Sequence, residues 1–124
     1  RDSLTTLNLN ETKVTDAGLK ELVALKNLTT LNLFATNVTG VGLMELAALK
    51  NLTTLYLGNT GLKELVAFKN LTTLHLSGTK VTDAGLKELA PLKNLASLYL
   101  YGTQATDAGV KELQMALPNC KINK

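Results

Sequence analysis

One short frame, Leu-x-x-Leu-x-Leu, recurs along the chain at nearly constant spacing, and no other feature restricts the fold so strongly. It reads Leu-Thr-Thr-Leu-x-Leu from Leu4, Leu28, Leu52 and Leu71, and Leu-Ala-Ser-Leu-x-Leu from Leu95. Successive starts step by 24, 24, 19 and 24 residues. Self-similarity at a fixed period of this length marks a chain built by repeating one supersecondary unit. The units are expected at residues 4–27, 28–51, 52–70, 71–94 and 95–119, with a closing strand over 120–124, all within a single domain spanning 1–124.

Each unit carries two rhythms. Leu-x-Leu alternates with period two, the spacing of a strand. The later stretch, such as Gly18-Leu19-Lys20-Glu21-Leu22-Val23-Ala24-Leu25, places leucines three apart among polar residues, the spacing of a helix. Thr15, Thr39, Thr82 and Thr106 precede these stretches, where a hydroxyl can cap the free amides of a first turn. Asp16, Asp83 and Asp107 follow, suited to the positive end of the helix dipole. Lys26, Lys50, Lys69 and Lys93 stand near the helix ends. Asn27, Asn51, Asn70 and Asn94 come next and are expected to take the left-handed conformation that stops a helix. A strand of about 5 residues and a helix of two to three turns cannot bury their apolar faces alone; stacking neighbouring units does so, giving a curved parallel sheet inside and helices outside. Leucines at 4, 7, 9, 19, 22 and 25, with their equivalents, form the interior.

The frame Leu-x-x-Leu-x-Leu-x-x-Thr resembles the leucine-rich-repeat family over nearly the whole chain. The 24-residue unit with Val-Thr-Asp-Ala-Gly-Leu-Lys-Glu-Leu is most similar to the bacterial and cysteine-containing subclasses, and it is too short for the ribonuclease-inhibitor subclass. The resemblance implies an α/β fold, a right-handed leucine-rich-repeat solenoid curved into a horseshoe arc, with the parallel sheet concave and short helices convex. It also implies an interaction scaffold, not an enzyme. The family's usual residue nine places into the unit is Asn or Cys; here it is Thr12, Thr36, Thr60, Thr79 and Thr103. A hydroxyl at this bend can bond backbone groups that have left the sheet, so the five threonines are expected to form a structural ladder.

Comparison of the units separates constant from variable positions. Between the two strand leucines stand Asn8, Asn32, Tyr56, His75 and Tyr99; after the second leucine stand Asn10, Phe34, Gly58, Ser77 and Tyr101. Period two sends the mid-strand residues to the face opposite the leucines, the concave surface. All three tyrosines and the only histidine fall there. With strands about 4.8 Å apart, Tyr56, His75 and Tyr99 should stand side by side over about 10 Å. Asn32, Phe34, Tyr56, His75, Tyr99 and Tyr101 are therefore the candidate contacts for a protein or peptide partner, since exposed aromatics dominate binding energy at interfaces. The same rings can instead stiffen the sheet by pairing across strands.

Composition limits the alternatives. The net charge is +3, and Arg1 is the only arginine, which argues against a nucleic-acid partner. No apolar run approaches the roughly 20 residues of a membrane span, and no signal-peptide pattern opens the chain. One cysteine, Cys120, cannot build a disulfide framework; it replaces a core leucine and is expected to be buried and inert. His75 has no predicted cluster of ligands or orienting carboxylate, so neither a metal nor a catalytic role, nor any cofactor, is expected. Lys20-Glu21, Lys63-Glu64, Lys87-Glu88 and Lys111-Glu112 should form a solvated convex stripe. Five Asn-x-Thr sequons, from Asn10, Asn27, Asn37, Asn51 and Asn70, read as repeat chemistry. In the third unit Thr60-Gly61-Leu62 replaces eight residues of the fourth, so a lost capping turn and a dent in the outer wall are expected. The first strand exposes one apolar face, which allows association with a second copy. A structural or self-associating segment of a larger or engineered protein is the alternative to partner recognition.

Overall fold

The computed structural model describes residues 4–58 and 62–124. Six strands, β1 (Thr6–Asn8), β2 (Thr30–Asn32), β3 (Thr54–Tyr56), β4 (Thr73–His75), β5 (Ser97–Tyr99) and β6 (Lys121–Asn123), form one open parallel sheet in chain order. The register follows the repeat: Leu7, Leu31, Leu55, Leu74, Leu98 and Ile122 stand opposite one another. Parallel strands need a crossover, and each crossover here is the outer half of one coil. The coils therefore stack into an α/β solenoid with its sheet on one side and its helices on the other.

The helices are shorter than the sequence rhythm suggests. α1 (Asp16–Leu19), α2 (Gly40–Glu45) and α3 (Asp83–Lys87) cover at most two turns. The first two tighten into 3-10 turns at Lys20–Ala24 and Leu46–Ala48. The short third coil keeps only the 3-10 turn Lys63–Ala67 among its described residues. Only α4 (Asp107–Ala116) is a continuous 10-residue α-helix.

The interior is one apolar column. Leu28, Leu31, Leu43, Leu46, Leu55, Leu65, Leu74, Leu89, Leu98 and Leu100 are fully buried. Phe68, in a leucine position of the third coil, is also core. Cys120 closes the column, buried among the leucines. Desolvation pushes its thiol pKa up, so the reactive thiolate is disfavoured.

Two expectations are corrected, the left-handed asparagines and the capping of helices by Thr15 and Thr82. Asn27, Asn51, Asn70 and Asn94 are not left-handed; among the described residues Glu11, Ala35, Gly78 and Gly102 have positive φ, in the turns after β1, β2, β4 and β5. Asn51, Asn70 and Asn94 instead donate from Nδ2 to the carbonyl of the lysine one coil back, Lys26, Lys50 and Lys69, at 3.0, 2.8 and 2.9 Å. The aspartates, too, serve across coils. Asp16 Oδ1 accepts from Thr39 N–H at 2.7 Å and its Oδ2 from the Thr39 hydroxyl at 2.5 Å; Asp83 holds Thr106 in the same way. These bonds hold both carboxyls below the usual aspartate range.

This brace explains which threonines cap. Thr39 and Thr106 give their protons to an aspartate, leaving lone pairs aimed at Val41 N–H and Gly109 N–H of their own helices. Thr15 and Thr82 make no side-chain cap bond. The coil before Thr82 is the short one, which has no aspartate in its sequence. The brace also requires glycine: a Cβ on Gly42 would lie 2.3 Å from Asp16 Oδ1, and one on Gly109 2.1 Å from Asp83 Oδ1.

Candidate functional site

The concave face is built from the residues that flank each inward leucine. Along β2 to β5 these are Thr30, Asn32, Thr54, Tyr56, Thr73, His75, Ser97 and Tyr99, all half-buried and none bearing a fixed charge. The Lys-Glu pairs stand on the opposite, convex side, where Lys20, Glu21, Lys87, Glu88, Lys111 and Glu112 are exposed. Along these four strands the wall is thus a neutral surface of hydroxyls, amides and rings, whereas in β6 Lys121 takes the Ser97 position and adds a charge at that end.

The strand register brings three of the predicted residues together. Tyr56 pairs with His75 and His75 with Tyr99. Their rings stack face to face, with centroids 3.8 and 4.5 Å apart and planes within 4° and 3° of parallel. The separation is set by the sheet, because parallel in-register strands carry equivalent side chains at nearly the stacking distance of aromatic rings. Burial between the tyrosines lowers the His75 pKa by desolvation, which favours a neutral imidazole. Tyr101 continues the cluster, its ring tilted 39° and 6.5 Å from that of Tyr99, and it is 53% exposed. Ser77 orients this end by accepting the Tyr101 N–H at 3.1 Å.

Asn32 stands opposite Tyr56 in the register and turns its Oδ1 back to the N–H of Phe34 at 3.0 Å. Phe34 is half-buried and reaches toward Gly78, whose Cβ, if it had one, would lie 3.8 Å from the ring tip. Phe34 therefore sits beside the stack and not in it. Among the described residues no group of His, Cys, Asp and Glu gathers as a metal site.

Thr12, Thr36, Thr79 and Thr103 donate to the carbonyls of Leu9, Leu33, Leu76 and Leu100, three residues back, at 2.7, 2.8, 2.6 and 2.9 Å. The bonds run within each coil. Hydroxyl bonds from coil to coil are made by a different column, in which Thr29, Thr53 and Thr72 donate to the carbonyls of Thr5, Thr29 and Thr53. Sequence reasoning missed this column, the asparagine links and the Asp-to-Thr brace, although the constant spacing of each was visible. Thr60 lies outside the described residues.

Comparisons with known proteins agree with this architecture. The family model described as Leucine Rich repeat matches residues 3–23, 24–47 and 69–90, more than half of the chain. No curated protein sequence matches. Among solved structures the chain is similar to internalin C2 of Listeria monocytogenes, with 25% identity and a TM-score of 0.63 over 98% of this chain and 61% of that one. It is also similar to a leucine-rich-repeat protein of Leptospira interrogans, with 26% identity and a TM-score of 0.62 over 99% and 38%. A second Listeria internalin, 21% identical with a TM-score of 0.61 over 98% and 41%, shares the fold. The chain thus spans about two-fifths to three-fifths of the length of these structures. Repeats of this kind typically serve as protein-interaction modules, and no helix among the described residues is long and apolar enough to cross a membrane. With a leucine column, an in-register parallel sheet and three matched repeats, the chain belongs to the leucine-rich-repeat family.

Proposed function

We propose that the chain is a non-enzymatic recognition module that holds a protein or peptide partner against its concave sheet, with Tyr56, His75, Tyr99 and Tyr101 as the central contacts and Asn32 and Phe34 beside them. The observation that carries this reading is the ring stack, spaced at 3.8 and 4.5 Å on the inner wall. Rings already held by their neighbours lose little side-chain freedom when a partner arrives, so more of the contact energy remains as affinity. Both faces of His75 and the inner faces of Tyr56 and Tyr99 are covered, which leaves edges and the tyrosine hydroxyls for contact. Such tips suit hydrogen bonding to a peptide backbone or polar side chains.

The test is a Tyr56→Ala/Tyr99→Ala double variant. Partner capture should fall by at least tenfold, the consequence of losing about 1.4 kcal/mol or more of contact energy, while the variant keeps a cooperative melt. Undiminished capture by a folded variant would reject the proposal, and collapse of the fold would assign the tyrosines to sheet stiffening.

A further inference from the structure

The turns that lead from each helical segment back to the next strand make up one edge of the solenoid, and the charge on that edge is of one sign. Lys26, Lys50, Lys69 and Lys93 hold the same place in four successive coils and are exposed. The bonds from Asn51, Asn70 and Asn94 to the carbonyls of Lys26, Lys50 and Lys69 keep the turns in register. At a coil pitch of about 4.8 Å the column is about 14 Å long. Neighbouring cations lie within the screening length of about 8 Å, so their potentials add.

No acid compensates these charges on the edge. Residues 22–30, 46–54, 65–73, 89–97 and 113–121 contain neither Asp nor Glu. Lys26, Lys50 and Lys69 make no ion pair with a described residue, and the Lys93 ammonium donates to a carbonyl, that of Ala116, at 3.2 Å. The convex lysines differ, because Lys20, Lys63, Lys87 and Lys111 each precede a glutamate.

Hollows open between the coils beside the column. The hollow between the third and fourth coils has a volume of about 210 Å³. Buried Phe68 and Leu92 floor it, exposed Val66 and Pro91 supply apolar walls, and Lys69 and Lys93 are among its lining residues. A smaller one of about 80 Å³, one coil earlier, is lined in part by Lys50 and Lys69. Apolar walls between two cations suit a ring that carries a carboxylate: the walls cover its C–H groups and the lysines meet its charge.

We propose that this edge binds a linear acidic glycan, a chain of uronic-acid sugars. One ring sits in the hollow between the third and fourth coils with its carboxylate between Lys69 and Lys93, and the carboxylates of further rings follow the column toward Lys26. Such a chain carries one carboxylate per ring, at an interval close to the coil pitch. Other polyanions match less well. The edge has no arginine and no exposed aromatic ring, so it lacks the forks and stacking platforms that hold single-stranded nucleic acid. An acidic peptide brings carboxylates but no ring for the hollow, and an anionic bilayer would reach the lysines but not the apolar floor. The edge is separate from the ring stack on the inner wall, so the Tyr56→Ala/Tyr99→Ala variant should keep its glycan affinity.

The probe is fluorescently labelled oligogalacturonate, titrated with the protein and followed by anisotropy. The chain should bind it in low salt, should ignore neutral dextran of equal length, and should lose affinity steeply as salt rises. Lys69→Gln/Lys93→Gln should weaken binding by about tenfold or more, whereas Lys20→Gln/Lys111→Gln, which removes the same charge from the convex face, should change it by less than about twofold. Val66→Tyr fills the hollow at constant charge and should also weaken binding. All these substitutions are at exposed residues and should leave a cooperative melt. The proposal would be overturned by an absence of binding in low salt, by equal losses in the two lysine pairs, or by undiminished affinity in Val66→Tyr. Binding of oligothymidylate, polyglutamate or phosphatidylserine vesicles as tight as that of oligogalacturonate would overturn it as well.

Discussion

Gly42→Ala probes the brace that ties the first coil to the second. The added Cβ would lie 2.3 Å from Asp16 Oδ1, 2.8 Å from its Cγ and 3.0 Å from its Cα. The carboxylate could swing away, but the Cα belongs to the backbone, so one coil must shift against the other. The swing also forfeits the bonds of 2.7 and 2.5 Å to Thr39. Forcing a methyl into such a contact costs about 1–3 kcal/mol. Alanine is the better helix former, which returns up to about 1 kcal/mol. The net loss should be about 1–2 kcal/mol, or a fall of roughly 4–10 °C in melting temperature. Thermal and urea melts of four proteins close a double-mutant cycle: the original, Gly42→Ala, Asp16→Ala and the pair. In the Asp16→Ala background most of the clash and both acid-assisted bonds are gone, so Gly42→Ala should cost little. If it costs the same in both backgrounds, the glycine is not there for the carboxylate and the brace is not what couples the coils.

Three further outcomes follow from single residues. Ala35 sits at φ 58, a left-handed conformation that costs an L-residue about 1–2 kcal/mol, so Ala35→Gly should raise stability by about 0.5–1 kcal/mol despite glycine's larger unfolded-state entropy; a destabilised variant in a urea melt would contradict this. The buried Thr79 hydroxyl donates at 2.6 Å to the Leu76 carbonyl, so Thr79→Val should cost about 1–3 kcal/mol, while Thr12→Val, at an exposed threonine, should cost less; equal losses would count against the burial argument. Desolvation holds the folded His75 pKa below its ordinary value of 6.5, so folding favours the neutral ring. That contribution is complete above pH 6.5 and is lost as pH falls through 6.5 toward the depressed folded value; because the chain has one histidine, a His75→Asn variant should lack this slope in melts between pH 7 and 5.

Much of the molecule was legible from spacing alone. A leucine frame stepping by 24 residues determined a parallel sheet, its strand order and its inward face, because period two and near-constant coil length leave one register in which every leucine is covered. The same alternation placed Tyr56, His75 and Tyr99 on the opposite face and next to one another. What spacing could not decide was the direction in which short polar side chains reach. Asp16 was equally compatible with the start of its own helix and with the coil ahead, and Asn51 with a left-handed turn and with a carbonyl one coil behind. These choices depend on distances between coils of about 5 Å. Those distances come into existence only once the leucine column is packed. Tertiary structure therefore decided the joints, the tight 3-10 ends of the helices and the stacking of the rings, whereas the period of the chain had already determined which residues would meet.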